Sequence, residues 1–345
     1  MAIPIENIYY LLCYAWDTLE EKDQVKVSVE DSTELIELFA KLLINGTRIL
    51  LKRGVEKNYV EETIELAGVK GKLELGPTLK SSLLNKRRTI CTVDEFSSNI
   101  LSNQILLSTL YRLLKIKGLN QELKKQVKPL LWMFSGIDPV ELSNKAFSQV
   151  RLHRNNRFYA FLIKVCQIIY QNTLPTEKPG EWLFMDFTRD KRKMNVLFET
   201  FIRNFYKREF PKWKVHTEEL RWQFEAADES HRAFIPVMRT DISIENETGK
   251  VIIDAKYYRD TFSSRYEKDK IHSSNLYQLF SYLMNQRSDN PKSLSTKGVL
   301  LYPTTDEEAN LHYMYQNHPI EIKTVNLQAH WSIIEKRLKT LLAYS

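Results

Sequence analysis

Three polar side chains sit where a buried strand would carry apolar ones. They are Asp241, Asp254 and Lys256, in the run Arg239-Thr-Asp241-Ile-Ser-Ile-Glu-Asn-Glu-Thr-Gly249-Lys-Val-Ile-Ile-Asp254-Ala-Lys256. Asp241 to Glu245 alternates polar and apolar, Val251 to Lys256 reads as a second arm, and Asn246-Glu-Thr-Gly249 between them has turn composition. A turn centred between Glu247 and Thr248 sets Ile242 opposite Ile253 and Ile244 opposite Val251, giving an apolar face towards a core. It also sets Asp241 opposite Asp254. Directly opposed residues hold their Cβ atoms about 5 Å apart on one face. Lys256, two residues beyond Asp254, projects to that same face. A slip of one residue would separate the three groups.

Two facing carboxylates repel unless a positive charge sits between them. Mg2+ is the natural choice, a hard cation held by one or two carboxylates, waters and substrate phosphate oxygens. A neighbouring lysine orients or deprotonates an attacking water, or balances charge in the transition state. That chemistry cuts a phosphodiester. On spacing alone, a solvated hairpin face bearing ordinary Asp and Lys side chains is the alternative.

The flanking segments are helical in pattern. Asn195 to Phe205 has Leu197, Phe198, Phe201, Ile202 and Phe205 at helical spacing, with Glu199 beside the stripe. His272 to Leu283 begins a second helix, on which Gln278 and Tyr282 are four apart and share a face. Gly298 to Pro303, His312 to Tyr315 and Ile320 to Val325 read as strands, and Trp331 to Leu342 as a closing amphipathic helix. In the first half, Ile5, Ile8, Leu12 and Ala15 fit a helix in which Tyr9, Tyr10 and Trp16 widen the apolar stripe and read as core. A helix over Leu35 to Leu51 follows. Strands come next over Tyr59–Leu66, Gly68–Leu75 and Arg88–Phe96, forming a small sheet or partial barrel, and then a helical run over Asn99–Val127. Asp138-Pro139 and the polar stretch Ser143 to His153 mark a transition between domains. Arg157 to Gln171 is a further helix. The fold class is therefore mixed α/β: an N-terminal α+β domain over 1–150 and an α/β domain over 151–345.

Composition narrows the function. A chain of 345 residues, 43% hydrophobic and 27% charged, has the balance of a soluble globular protein with a large core. Three scattered cysteines, Cys13, Cys91 and Cys166, argue against a zinc site or disulfide framework and for a reducing cytoplasm. There is no signal-peptide pattern and no run long enough to span a bilayer. Gly68-Val-Lys-Gly71-Lys72 lacks Walker spacing, so nucleotide hydrolysis by this chain alone is not expected. A net charge of +7 is compatible with a polyanion. Lys86-Arg87-Arg88, Lys124-Lys125 and the group Arg189, Lys191, Arg192 and Lys193 are its basic stretches, each able to touch phosphates and each, alone, more often a solvated face.

The Asp241…Asp254-Ala-Lys256 hairpin resembles the core of the PD-(D/E)XK nuclease superfamily. Gln278 and Tyr282 resemble a Gln-x-x-x-Tyr element of one branch, and Glu199 stands where the superfamily often places a metal-associated carboxylate. With Ile3-Pro4, Asn7-Ile8-Tyr9-Tyr10, Tyr14-Ala15-Trp16, Gly68-Val-Lys-Gly71-Lys-Leu-Glu, Asp254-Ala-Lys256-Tyr-Tyr258, Asn275-Leu-Tyr-Gln278 and Leu300-Leu-Tyr-Pro303, the chain resembles the nuclease subunit of McrBC-type modified-cytosine restriction systems nearly end to end. The resemblance implies Asp241 and Asp254 as Mg2+ ligands, Lys256 as the catalytic lysine, Gln278 and Tyr282 as supporting residues, and Glu199 as a further metal-site residue. It implies a hexameric AAA+ GTPase partner, which binds the GTP and which the N-terminal domain engages and stimulates. It also implies double-stranded DNA containing modified cytosine as substrate and a second copy of the nuclease domain for double-strand cleavage. Two alternatives stay open: a non-catalytic adaptor that assembles and activates the GTPase, and a basic DNA-binding protein with a decayed nuclease fold.

Overall fold

The computed structural model describes residues 3–22, 25, 32, 34–152, 156–225, 228–247, 249–257, 263–265, 268–286, 291–304 and 308–342. His153, Thr248 and Tyr258, each part of a motif above, lie outside the described residues. Helix α1 (Ile5–Trp16) forms at its expected apolar spacing and ends at Asp17, whose φ of 55° is left-handed. Tyr9 is buried, whereas Tyr10 and Trp16 are half-buried. The chain divides into two compact units, one combining Met1–Lys22 with Asp186–Ser345, the other built on Ser32–Met185. The division therefore falls at Asp186 rather than at residue 150, and α1 belongs with the C-terminal half.

The reason is that the partners of α1 come from the far end of the chain. The Tyr10 ring stacks on Trp331 at 4.4 Å and 4°. Tyr14 meets Phe201 at 5.7 Å and Phe205 at 5.3 Å. Asn7 Nδ2 donates to the carbonyls of Leu327 and Ala329 at 2.8 and 2.9 Å. Asn204 Nδ2 donates to the carbonyls of Tyr14 and Ala15, both at 3.0 Å, satisfying acceptors that the last turn of a helix leaves open. The polar Ser143–His153 stretch includes instead a short helix, Asn144–Gln149, capped by Ser143 within the other unit. Its polarity reports exposure.

That other unit packs α2 (Leu35–Arg53) with a sheet of β1 (Asn58–Ala67), β2 (Lys72–Leu73) and β3 (Arg88–Ser97), followed by α3 (Leu101–Leu114), α4 (Gln121–Trp132) and α5 (Arg157–Gln171). The sheet is antiparallel and open, in the order β1-β3-β2. The strand expected over Gly68–Leu75 shrinks to two residues. Gly71, at φ 72°, turns the chain against the backbone of Thr92, and Leu75–Lys80 continues as a helix. The helical run expected over Asn99–Val127 breaks between α3 and α4, where Gly118 adopts φ 81° and Asn120 caps α4 through the Glu122 N–H.

The C-terminal unit continues with α6 (Lys191–Glu209), β4 (Lys214–His216), β5 (Ile242–Glu245), β6 (Lys250–Ala255), α7 (Ser273–Met284), β7 (Lys297–Thr304), β8 (Asn310–Tyr315), β9 (His318–Asn326) and α8 (Trp331–Leu341). The strands form one mixed sheet, ordered β8-β9-β7-β6-β5-β4, in which β7 runs parallel to both β6 and β9. A parallel pair needs a crossover, and α7 provides one between β6 and β7. Ile252, Leu300, Tyr302 and Ile322 pack with Leu279 and Leu283 of α7. A Cβ added at Gly298 would lie 2.9 Å from Leu283 Cδ1, so α7 rests directly on the strand there. On the opposite face, Lys323 Nζ donates to the Leu341 carbonyl at 2.9 Å, placing α8 there, and Tyr206 of α6 hydrogen-bonds Leu338 of α8. Both faces are thus covered, and the single apolar face expected for Ile242, Ile244, Val251 and Ile253 is one of two. Among the described residues no helix is long and apolar enough to cross a membrane.

Trp331 is the joint between α1 and the rest of its unit. Trp331→Ala is expected to lower the unfolding free energy by about 3–5 kcal/mol, read as a shifted urea midpoint of the full chain. An unchanged midpoint would mean that α1 docks elsewhere.

Candidate active site

The hairpin β5–β6 pairs Glu245 with Lys250, Ile244 with Val251 and Ile242 with Ile253, the register expected from the turn residues. The turn is closed by Asn246, whose N–H donates to the Gly249 carbonyl and whose Oδ1 accepts from the Gly249 N–H. One step past the ladder, Asp241 and Asp254 converge on Lys256. Its Nζ lies 3.0 Å from Asp241 Oδ2 and 3.0 Å from Asp254 Oδ1. Lys256 is held because its own N–H donates to the Leu301 carbonyl of β7 at 3.0 Å, extending the sheet beyond β6.

The flanking helices reach this point from both sides. Tyr282 of α7 donates its hydroxyl to the Arg239 carbonyl at 2.8 Å and accepts from Gln278 Nε2 at 2.6 Å. These two expected site residues fix the backbone two residues ahead of Asp241. Glu199 on α6 bears electrostatically on Asp241 and Lys256 and accepts from Arg203 at 3.5 Å. Asn195, one helical turn earlier on the same face, went unnoticed in the sequence. Its Oδ1 accepts from the Tyr257 N–H at 2.9 Å, fixing the residue after Lys256. An Asn one turn before Glu199 on an amphipathic helix was the available signal. Arg189, Lys191, Arg192 and Lys193 lie at the start of α6, where Asp190 caps the Arg192 and Lys193 N–H groups. Lys191 and Arg192 lie one helical turn before Asn195.

The charged groups act on one another. Burial pushes the Asp254 carboxyl up to about 7, with Asp241 adding to the effect and Lys256 opposing it. Burial works against the Lys256 ammonium, yet Asp254 and Asp241 outweigh it and hold it above the usual lysine range. Burial, then Asp241, raises the Glu199 carboxyl. Asp254 Oδ2 is buried with no hydrogen-bond partner. An orphaned carboxylate oxygen beside a second carboxylate suits a hard cation that keeps most of its shell as water. Among the described residues no group of three His, Cys, Asp or Glu side chains is placed to hold a metal ion. Asp241 and Asp254 are the two carboxylates here of the kind that would hold such a cation, and Glu199 does not complete a three-carboxylate group with them.

The Asp254 shift sets a pH dependence. Its ordinary pKa is about 3.9. Between that value and about 7 the folded chain retains a proton that the unfolded chain has released, so stability falls as pH rises through this window. In chelator, Asp254→Asn is expected to melt at least about 2–4 °C above the unsubstituted chain at pH ~8, the gain disappearing below pH ~4. Thermal melts across this range check it, and a gain independent of pH would contradict it.

This geometry sits in a chain with clear relatives. Residues 6–303 match the family model of McrBC 5-methylcytosine restriction system components. Over 336 residues the chain is 33% identical to the Type IV methyl-directed restriction enzyme EcoKMcrBC of Escherichia coli (strain K12), covering 97% of this chain and 96% of that one. Its fold is similar to that of a chain in the refined half-complex from the tetradecameric assembly of Thermococcus gammatolerans McrB AAA+ hexamers with bound McrC. The TM-score is 0.59 at 18% identity, covering 98% of this chain and 75% of that one. The family match runs from α1 into β7 and spans both compact units. On that evidence the chain belongs to the family of McrBC 5-methylcytosine restriction system components.

Proposed function

We propose that this chain is the DNA-cleaving subunit of a GTP-dependent, modification-dependent restriction complex. It hydrolyses phosphodiester bonds with Mg2+ and stimulates the GTPase of an AAA+ partner that itself binds the GTP. The observation that carries this reading is Lys256 Nζ at 3.0 Å from both Asp241 and Asp254, beside the orphaned Asp254 Oδ2. The order of α6, the β4–β5–β6 meander, α7 and the parallel β7 supports a PD-(D/E)XK-type core. The E. coli relative is a methyl-directed restriction enzyme, which supports double-stranded DNA containing modified cytosine as substrate. The Thermococcus assembly, with its McrB AAA+ hexamers and bound McrC, supports a hexameric partner and a second copy of the nuclease unit.

The residues divide the work. Asp241 and Asp254 would hold the Mg2+, which lowers the pKa of bound water and stabilises charge on the attacked phosphate. Lys256 is kept as an ammonium by its carboxylates, so it acts first as a donor to a phosphate oxygen or an attacking water. Tyr282, Gln278 and Asn195 hold the backbone on either side of the charged groups. Partner engagement falls to the Ser32–Met185 unit, whose exposed Tyr59 and Phe96 rings pair at 5.3 Å on β1 and β3. The site of action is the cytoplasm, a reducing setting in which the three buried cysteines stay reduced.

With the GTPase, GTP and Mg2+, the chain is expected to cut methylated plasmid. Asp254→Ala should lose cleavage by at least about a hundredfold, and Lys256→Ala by about 10²–10⁴. GTPase stimulation should persist in both. Undiminished cutting by Asp254→Ala would overturn the site, and stimulation without any cutting by the unsubstituted chain would leave the adaptor role. Independently of activity, Mg2+ should raise the melting temperature of the unsubstituted chain and leave that of Asp241→Asn/Asp254→Asn unmoved.

A further inference from the structure

Arg239 lies two residues before Asp241, and its backbone is held from three directions. The Tyr282 hydroxyl donates to its carbonyl at 2.8 Å. Met238–Arg239 pairs antiparallel with Glu219–Leu220. The next residue, Thr240, donates its N–H to the Glu218 carbonyl at 2.9 Å. The side chain, by contrast, is exposed. Its Nη2 donates to Thr217 Oγ1 over a long 3.4 Å, and among the described residues no carboxylate lies within ion-pair distance of it.

The other cations around these carboxylates are already paired. Lys256 Nζ is 3.0 Å from Asp241 and from Asp254, and Arg203 is 3.5 Å from Glu199. Arg239 nonetheless belongs to the same group of charges. Burial, then Asp241, raises the Glu199 carboxyl, and Arg203, Lys256 and Arg239 oppose them. The Arg239 charge thus falls on Glu199, at the α6 flank of the convergence. A DNA strand brings further negative charge to a place that already holds three carboxylates. An arginine with a fixed backbone and four of its five N–H donors unused is placed to receive it.

We propose that Arg239 is a phosphate contact of the substrate strand, binding a phosphodiester beside the one to be cut. The proposal rests on the nuclease reading for its substrate. Lys256, Asp241 and Asp254 define the reacting position, so a guanidinium whose charge falls on Glu199 meets a neighbouring phosphate. Its planar fork can take two phosphate oxygens at once, and such a contact positions the strand without reading sequence.

The test uses the full chain with Ca2+, an oxygen-seeking cation like Mg2+, and a fluorescently labelled duplex titrated by anisotropy over a range of salt. Arg239→Ala is expected to weaken binding about tenfold at low salt. The slope of log affinity against log salt should become shallower by about one unit. The loss should be equal on methylated and unmethylated duplex. Arg239→Lys should keep the slope and regain part of the affinity. Because the side chain is exposed, the melting temperature should stay within about 2 °C. Unchanged affinity in Arg239→Ala overturns the proposal, as does a loss at unchanged slope, a loss confined to methylated duplex, or a loss with a lowered melting temperature. Absence of any salt-dependent binding by the unsubstituted chain overturns it too. Cleavage is read separately, with the GTPase, GTP and Mg2+. If the Arg239 effects appear but no component set yields cutting, the phosphate contact stands and the nuclease reading falls. If Asp254→Ala abolishes cutting while Arg239→Ala binds normally, the reverse holds.

Discussion

A wholly buried carboxylate must be neutralised, and in this protein the means is a lysine on the same strand. Asp254 and Lys256 are separated by one residue, so strand alternation aims both at the same face. Asp241 arrives from the neighbouring strand to make the second contact. Burial in a poorly solvated place pushes Asp254 up to about 7, with Lys256 opposing the shift and Asp241 adding to it. The rest of the unit can be understood as what keeps these groups from escaping to water.

Three supports act on backbone rather than on the charged atoms. The Tyr282 hydroxyl holds the Arg239 carbonyl, Asn195 holds the Tyr257 N–H, and the Leu301 carbonyl accepts from the Lys256 N–H. Each fixes the chain within two residues of a charged side chain and leaves the side-chain oxygens open to a ligand. Buried polar networks are rigid only when their members are satisfied. Here Asp254 Oδ2 is buried without a hydrogen-bond partner.

The sheet can tolerate charge at its edge because its middle is covered on both faces, by α7 on one and by α8, tied to α6, on the other. The first helix of the chain helps to build that cover. Its aromatic contacts with Phe201, Phe205 and Trp331 mean that the unit holding Asp241, Asp254 and Lys256 is completed by the helix Ile5–Trp16. The Ser32–Met185 unit is inserted between the two pieces in sequence. Two compact units are thus written into one polypeptide without being consecutive in sequence.

The hairpin register, the convergence of Asp241, Asp254 and Lys256, and helices such as Ile5–Trp16 and Arg157–Gln171 were legible in the sequence. They follow from a strand period of two, a turn of Asn and Gly, and apolar spacing near 3.6, all of which act over a few residues. The placement of α1 in the C-terminal unit, the second buried face of the sheet and the break near Gly118 were not legible. Nor was the role of Asn195, or that Tyr282 would bind the Arg239 backbone carbonyl. Those features depend on pairings such as Asn7 with Leu327, or Asn195 with Tyr257, between residues that share no periodicity. A short-range pattern can choose an element and the face it buries. Which distant backbone group a polar side chain meets is decided only when the elements pack, because the cost of leaving either group without a partner arises only once both are buried.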